Sequence, residues 1–207
     1  MVAAPEREAM RDVVVRPMHP RHLRRVMSIE RQLYPRPWSH SLFTEELART
    51  DSRGYFVALA STDSRPWRQV VGYAGVLLQA GEAHVTTVAV DPAQHRRKIA
   101  THLVLSLLGW SRAKGAEVAT LEVRAANRGA QRLYSAFGFA PVGARPGYYA
   151  ETGEDAVIMW AYDLQGEEME ERLRAQEARL ELPGGASGAP DDPVPWARGR
   201  VGLGGEE

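Results

Sequence analysis

The segment VTTVAVDPAQHRRKIATHL constrains the fold more than any other part of the chain, because the hydrophobic period changes inside it. Up to Val90 it reads as a strand that ends at Asp91-Pro92. Beyond the turn, Ile99, Leu103 and Leu107 form one row and Ala100, Val104, Leu108 and Ser111 the next, the spacing of a helix with one buried face. Gly115 is the expected C-terminal stop. Val118 to Arg124 then alternates, with Leu121 and Val123 on one face and Thr120, Glu122 and Arg124 on the other. Strand, helix and strand in this order make a right-handed crossover between parallel strands. The order also puts a helix N-terminus at a strand end, where unpaired N–H groups and the dipole favour a phosphate and Arg96, Arg97 and Lys98 add positive charge. A basic triplet alone reads as a solvated turn; its position just before the helix favours the phosphate.

The rest of the chain builds around that unit. Val13 to Val15 reads as a short strand ended by Pro17, and His22 to Leu33 carries apolar residues near the helical period. The YPRPWS segment breaks it before a second helix, for which Ser39 is the expected N-cap. Tyr55 to Ala60, Val70 to Leu78 and Ala83 to Val90 read as an antiparallel meander. Asn127 to Phe137 reads as a helix, and Tyr148 with Asp155 to Leu164 supplies the last strands. The expected fold is α/β: one domain over 12–164, a mixed twisted sheet with helices on both faces. Residues 1–11 are expected to be flexible. In 165–207 a charged segment, EEMEERLRAQEARLEL, suggests an exposed helix, and the Gly- and Pro-rich remainder is expected to be disordered.

Composition narrows the chemistry. With 26 basic and 26 acidic residues the net charge is zero, so nothing draws the whole molecule to nucleic acid or an anionic membrane. The absence of cysteine excludes a disulfide scaffold, a thiol nucleophile and a cysteine-bound zinc. His84, His95 and His102 lack metal-ligand spacing with carboxylates and read as structural or surface residues; no metal is expected. No apolar stretch is long enough to span a membrane and the N-terminus is charged, so the expected location is cytoplasmic.

The order strand, DP, Q/R-x-x-G-x-G/A, helix resembles the coenzyme segment of the GNAT family of N-acetyltransferases. QHRRKIA departs from it at His95 and at Lys98, where the family prefers its first glycine; Ala100 satisfies the last small position. Downstream, LEVRAANRGAQRLYSAFGFAPVGARPGYYAETGEDAVIMW resembles the ribosomal-protein-alanine N-acetyltransferase branch, as does PWS upstream, and the resemblance covers roughly residues 13 to 164. It implies that acetyl-CoA is the co-substrate, with Glu122 as general base and Tyr134 as general acid. It also implies that Val88, Ala89, Val90, Arg96, Arg97, Lys98, Ile99, Ala100, Thr101 and Asn127 hold the coenzyme. The implied acceptor is the N-terminal alanine of a small-subunit ribosomal protein.

The residues bear on these roles independently. An amine must lose a proton before attacking a thioester, and a strand glutamate flanked by Leu121 and Val123 suits that task. The competing reading is an exposed glutamate paired with Arg124 or another base. Tyr134 on a cleft-facing helix can protonate a departing thiolate, or it is a core aromatic beside Phe137 and Phe139. Asn127 also reads as the N-cap of its helix. Glu30, Glu45, Glu46, Glu151, Glu154 and Asp155 either face a basic peptide or belong to the solvated surface. Two other functions stay open: acetylation of a protein lysine or small amine, and a non-catalytic module that only binds acyl-CoA.

Overall fold

The computed structural model describes residues 10–62 and 68–181 of the 207-residue chain. Residues 1–9 and the Gly- and Pro-rich stretch after 181 lie outside them. In chain order the elements are β1 (Met10–Pro17), α1 (Leu23–Leu33), α2 (His40–Ala48), β2 (Arg53–Thr62), β3 (Gln69–Gln79) and β4 (Glu82–Val90), then α3 (Ile99–Ala113), β5 (Val118–Arg124), α4 (Arg128–Ala136), β6 (Ala140–Tyr149), β7 (Glu154–Ala161) and α5 (Glu167–Glu181).

One seven-stranded sheet runs β1-β2-β3-β4-β5-β7-β6. Its β4–β5 pair is parallel and joined by the α3 crossover, whereas each other neighbouring pair is antiparallel. Residues alternate along β2 between two cores, as the two-residue period of a doubly covered strand requires. Phe56 and Ala58 join Ile99, Leu103, Leu107 and Phe137 under α3 and α4, while Tyr55 and Val57 join Leu23, Val26, Ile29 and Phe43 under α1 and α2. The β3–β4 hairpin turns at Ala80 and Gly81, both at positive φ, a geometry that glycine adopts without strain. Ser39 caps α2, its side chain accepting from Leu42 N–H at 3.1 Å.

Three departures from the sequence reading have physical causes. Ordered strand begins at Met10, inside the segment expected to be flexible. β6 begins at Ala140, well before Tyr148; it is the exposed edge strand, where Pro141 and Pro146 are tolerated. The charged segment does form a helix, α5, but one row of it is packed rather than exposed: Met169, Leu173, Gln176 and Leu180 are buried. Gln176 donates to the Ala136 carbonyl at 3.0 Å, Arg112 of α3 lies 3.6 Å from Glu170, and Lys98 Nζ donates to the Arg179 carbonyl at 2.8 Å.

Candidate active site

β4 and β5 are paired only over Glu82–Val118, Ala83–Ala119 and His84–Thr120, after which they part. Each continues with its outer neighbour, β4 with β3 as far as Val90 and β5 with β7 as far as Arg124. A bulge at Thr86, where Val85 opposes Val76 but Thr87 opposes Gly75, bends β4 at the start of the gap. The result is a cleft of about 240 Å³ between the two strands. Its lining includes Val85 to Val88, Leu121 to Arg124, Asn127 and Tyr134, with Glu30, Tyr34, Arg36 and Trp38 from the α1–α2 side and Tyr149 from β6.

At the cleft's end β4 runs into the phosphate-type turn. Asp91 is buried, accepts from Ala93 N–H at 3.0 Å and is paired with Arg25 of α1, which ties the turn to the opposite helix layer. His95 Nε2 lies 3.0 Å from the Val90 carbonyl. Arg96 and Lys98 both have positive φ, 65° and 57°, ahead of the α3 N-terminus. Positive φ interspersed with ordinary backbone curls successive N–H groups into a concave anion site. Lys98 therefore departs from what its side chain leads one to expect: it keeps the left-handed backbone of the glycine it replaces, and its ammonium serves the last turn of α5 instead of the turn. The Ile99 side chain is 1% exposed and belongs to the core, leaving its N–H for the turn. Val88 and Val90 pack toward α3 and Ala89 toward α1, so what β4 presents across the gap is backbone.

Glu122 sits in the cleft wall with its side chain 9% exposed. His84 Nε2 approaches one carboxylate oxygen at 3.3 Å and Arg145 Nη1 the other at 3.2 Å. Thr120 donates to Glu82 at 2.9 Å and lies 2.9 Å from His84 Nδ1, so Nδ1 is the donor in that contact. The approach of His84 Nε2 to Glu122 is then a hydrogen bond only when a proton lies between them. His84, read from sequence as structural or surface, is thus part of the site; in-register pairing with Thr120 places it two residues from Glu122 on one face, and register cannot be read from one strand alone.

Tyr134 lines the cleft and also belongs to the core, 8% exposed and edge-on to Phe139 at 5.8 Å. Burial, then Tyr34 and Tyr149, push its phenol above the usual tyrosine range. Asn127 caps α4, accepting from Ala130 N–H at 3.0 Å. Of the six acids left open between a peptide-facing place and the solvated surface, most are engaged in bonds within the domain. Glu46 holds Arg53 and Tyr55, Glu151 and Glu154 hold Arg124, and Asp155 accepts from Gly147 N–H. Arg124, clamped this way, lies 3.9 Å over the Tyr149 ring and fastens the β6–β7 turn to the end of β5. Glu45 is exposed, and Glu30 alone of the six lines the cleft. Among the described residues no cluster of three or more His, Asp or Glu is arranged to hold a metal ion, and no helix is long and apolar enough to cross a membrane.

The family model described as acetyltransferase (GNAT) family matches residues 23–139. A putative [ribosomal protein bS18]-alanine N-acetyltransferase of Bacillus subtilis is 33% identical over 146 residues, 70% of this chain and 93% of the relative. The N-alpha-acetyltransferase RimI of Mycobacterium tuberculosis is 36% identical over 141 residues, 65% of this chain and 83% of the relative. Among solved structures, the ribosomal-protein-S18-alanine N-acetyltransferase of Escherichia coli superposes with a TM-score of 0.62 at 25% identity, covering 73% of this chain and 94% of the other.

Proposed function

We propose, from the premise that the chain belongs to the acetyltransferase (GNAT) family and is an N-acetyltransferase, that it acetylates the N-terminal alanine of a small-subunit ribosomal protein, with acetyl-CoA as donor. The observation that carries the reading is the cleft where β4 and β5 part, with a nearly buried carboxylate, Glu122, on its wall. The Bacillus subtilis and Escherichia coli relatives carry names that specify the alanine of ribosomal protein S18, and that substrate is carried over from them.

The groups present suit the coenzyme. The N–H groups of Lys98 to Thr101 at the curled α3 N-terminus, with the Arg96 and Arg97 side chains, receive the pyrophosphate. The β4 backbone from Val88 to Val90 receives the pantetheine arm, and Asn127 flanks it from α4. Bound acetyl-CoA supplies an acetyl thioester, whose carbon–sulfur bond breaks as the amine's nitrogen–carbon bond forms. Glu122 takes the proton that the attacking nitrogen gives up, and His84 shares it. Tyr134 keeps its own proton at neutral pH because it is buried, and delivers it to the departing sulfur.

Mass spectrometry of ribosomal proteins from cells with and without the gene tests the acceptor: one protein loses an N-terminal acetyl group in the deletion. Parallel incubation with alanine-terminated peptides, lysine peptides and small amines separates this reading from side-chain or small-amine acetylation. A purified protein that binds acetyl-CoA and turns over none of them is a binding module, contrary to this reading.

A further inference from the structure

The cleft holds a second carboxyl group that the reaction above does not use. Glu30, near the end of α1, lines the cleft, is 3% exposed, and its Oε2 has no hydrogen-bond partner. The groups around it are the Tyr73 hydroxyl from β3, the Trp38 backbone N–H from the α1–α2 connection and Tyr34 just beyond its own helix, with Thr87 of β4 beside both tyrosines. The Tyr73 hydroxyl lies close enough to favour the charged carboxylate, and its own oxygen is buried without a partner of good hydrogen-bond geometry as well. Arg124 of β5 faces Tyr34 and is held by Glu151 and Glu154. No basic side chain is among the groups that act on Glu30.

A buried carboxylate is costly to a fold unless it is paired. Among the described residues no basic side chain acts on Glu30, and Glu30 is one of the residues lining a cavity, shared with Arg36, that on the proposed function admits an amine. We infer that Glu30 is the acceptor-binding acid of this cleft: it holds the ammonium of the incoming amino terminus before that group is handed to Glu122, and so selects a charged primary amine. The assignment rests on the reading of the chain as an amine acetyltransferase. Glu30 and Glu122 then divide the work, one binding the protonated amine and the other removing its proton.

Calorimetry with the coenzyme A-bound protein tests this, using an alanine-terminated peptide and the same peptide with a hydroxyl in place of its terminal amine. The parent should prefer the amine by about ten- to a hundredfold near neutral pH, the worth of a charge-assisted hydrogen bond in a dry site. Glu30→Gln should remove the preference while the cooperative fold is retained and coenzyme A affinity holds. Preference retained in Glu30→Gln overturns the assignment. Should that variant fail to fold, the parent's pH profile decides. The preference should rise as the carboxyl ionises and fall as the peptide amine deprotonates near pH 8, whereas a flat profile between about pH 5 and 8 overturns it. A parent that acetylates only small amines contradicts the peptide reading alone; the comparison is then made with that amine and its hydroxyl analogue, and the same outcomes apply.

Discussion

A glutamate in mid-strand is poorly suited to β-structure, and Glu122 is accommodated because the neighbouring strand turns away beside it and His84 and Arg145 meet its two oxygens. If it is the base, Glu122→Gln should lower kcat by about 10²- to 10⁴-fold while coenzyme affinity survives; near-normal kcat with saturating acceptor contradicts the role. Tyr134 has two roles to separate, since it lies in both core and cleft. Tyr134→Phe keeps the ring, so single-turnover rates should fall without loss of acetyl-CoA affinity. Stability and affinity falling together with no defect in the chemical step would make it a packing residue alone. Glu30 gives a linked prediction. Burial raises it from the ordinary glutamate value of 4.5 to about 7, so the folded chain keeps a proton that the unfolded chain releases. Its contribution to stability is therefore fully present below pH 4.5 and declines as pH rises to about 7. Glu30→Gln should gain on the order of 1 to 3 kcal/mol over the parent at about pH 8 relative to its standing at about pH 4.5, measured by urea unfolding; a gain independent of pH contradicts the buried, unpaired state. Glu122, Tyr134 and Asn127 were legible in sequence because each lies in a short motif. Glu30 was only one of six acids left open between groove and surface, and His84 read as structural or surface, because their place depends on how separate elements meet.

The elements that carry the site announce themselves by period. β4, α3 and β5 follow from a switch between alternation and helical rows across Asp91-Pro92. β6 escaped because an edge strand needs no buried face and tolerates proline and glycine. α5 was recognised as a helix, but its docking was hidden by nine charged residues among fifteen, although Met169, Leu173, Gln176 and Leu180 do form a row at helical spacing. A chain ending after Leu164 should therefore lose on the order of 3 to 6 kcal/mol of stability from the exposed partners of that row, whereas one ending after Glu181 should unfold as the parent does. Equal stability of the shorter chain would show that α5 does not contribute to the domain. Lys98 couples this helix to the phosphate turn, and backbone and side chain can be separated there. Lys98→Ala loses the bond to the Arg179 carbonyl and keeps the strained φ, while Lys98→Gly loses the bond and relieves the strain. The glycine variant should be the more stable by about 1 kcal/mol in thermal unfolding; the reverse order would contradict a left-handed backbone at this position.

At the scale of the whole molecule, zero net charge leaves binding to local features, and the fold supplies two at one cleft. On the proposed function, the curled α3 N-terminus beside Arg96 and Arg97 takes the phosphate, and Glu122 of β5 and Glu30 of α1 meet the amine. Donor and acceptor meet where β4 and β5 separate, because a parallel pair that stops after His84–Thr120 leaves the β4 backbone unengaged by its neighbour. The domain-level fold was legible from the sequence, since periodicity and motif pointed to the same sheet; the acceptor side was not, since the acids left open between groove and surface mostly pair with Arg124, Arg53 or backbone. The central claim is that this cleft acetylates an α-amine. Tandem mass spectrometry of an alanine-terminated peptide that also contains lysine, incubated with acetyl-CoA and the protein, tests it directly. One acetyl group should appear on the terminal nitrogen with the parent, at a rate that collapses with Glu122→Gln; acetyl on the lysine side chain, or equal rates from both proteins, would contradict it.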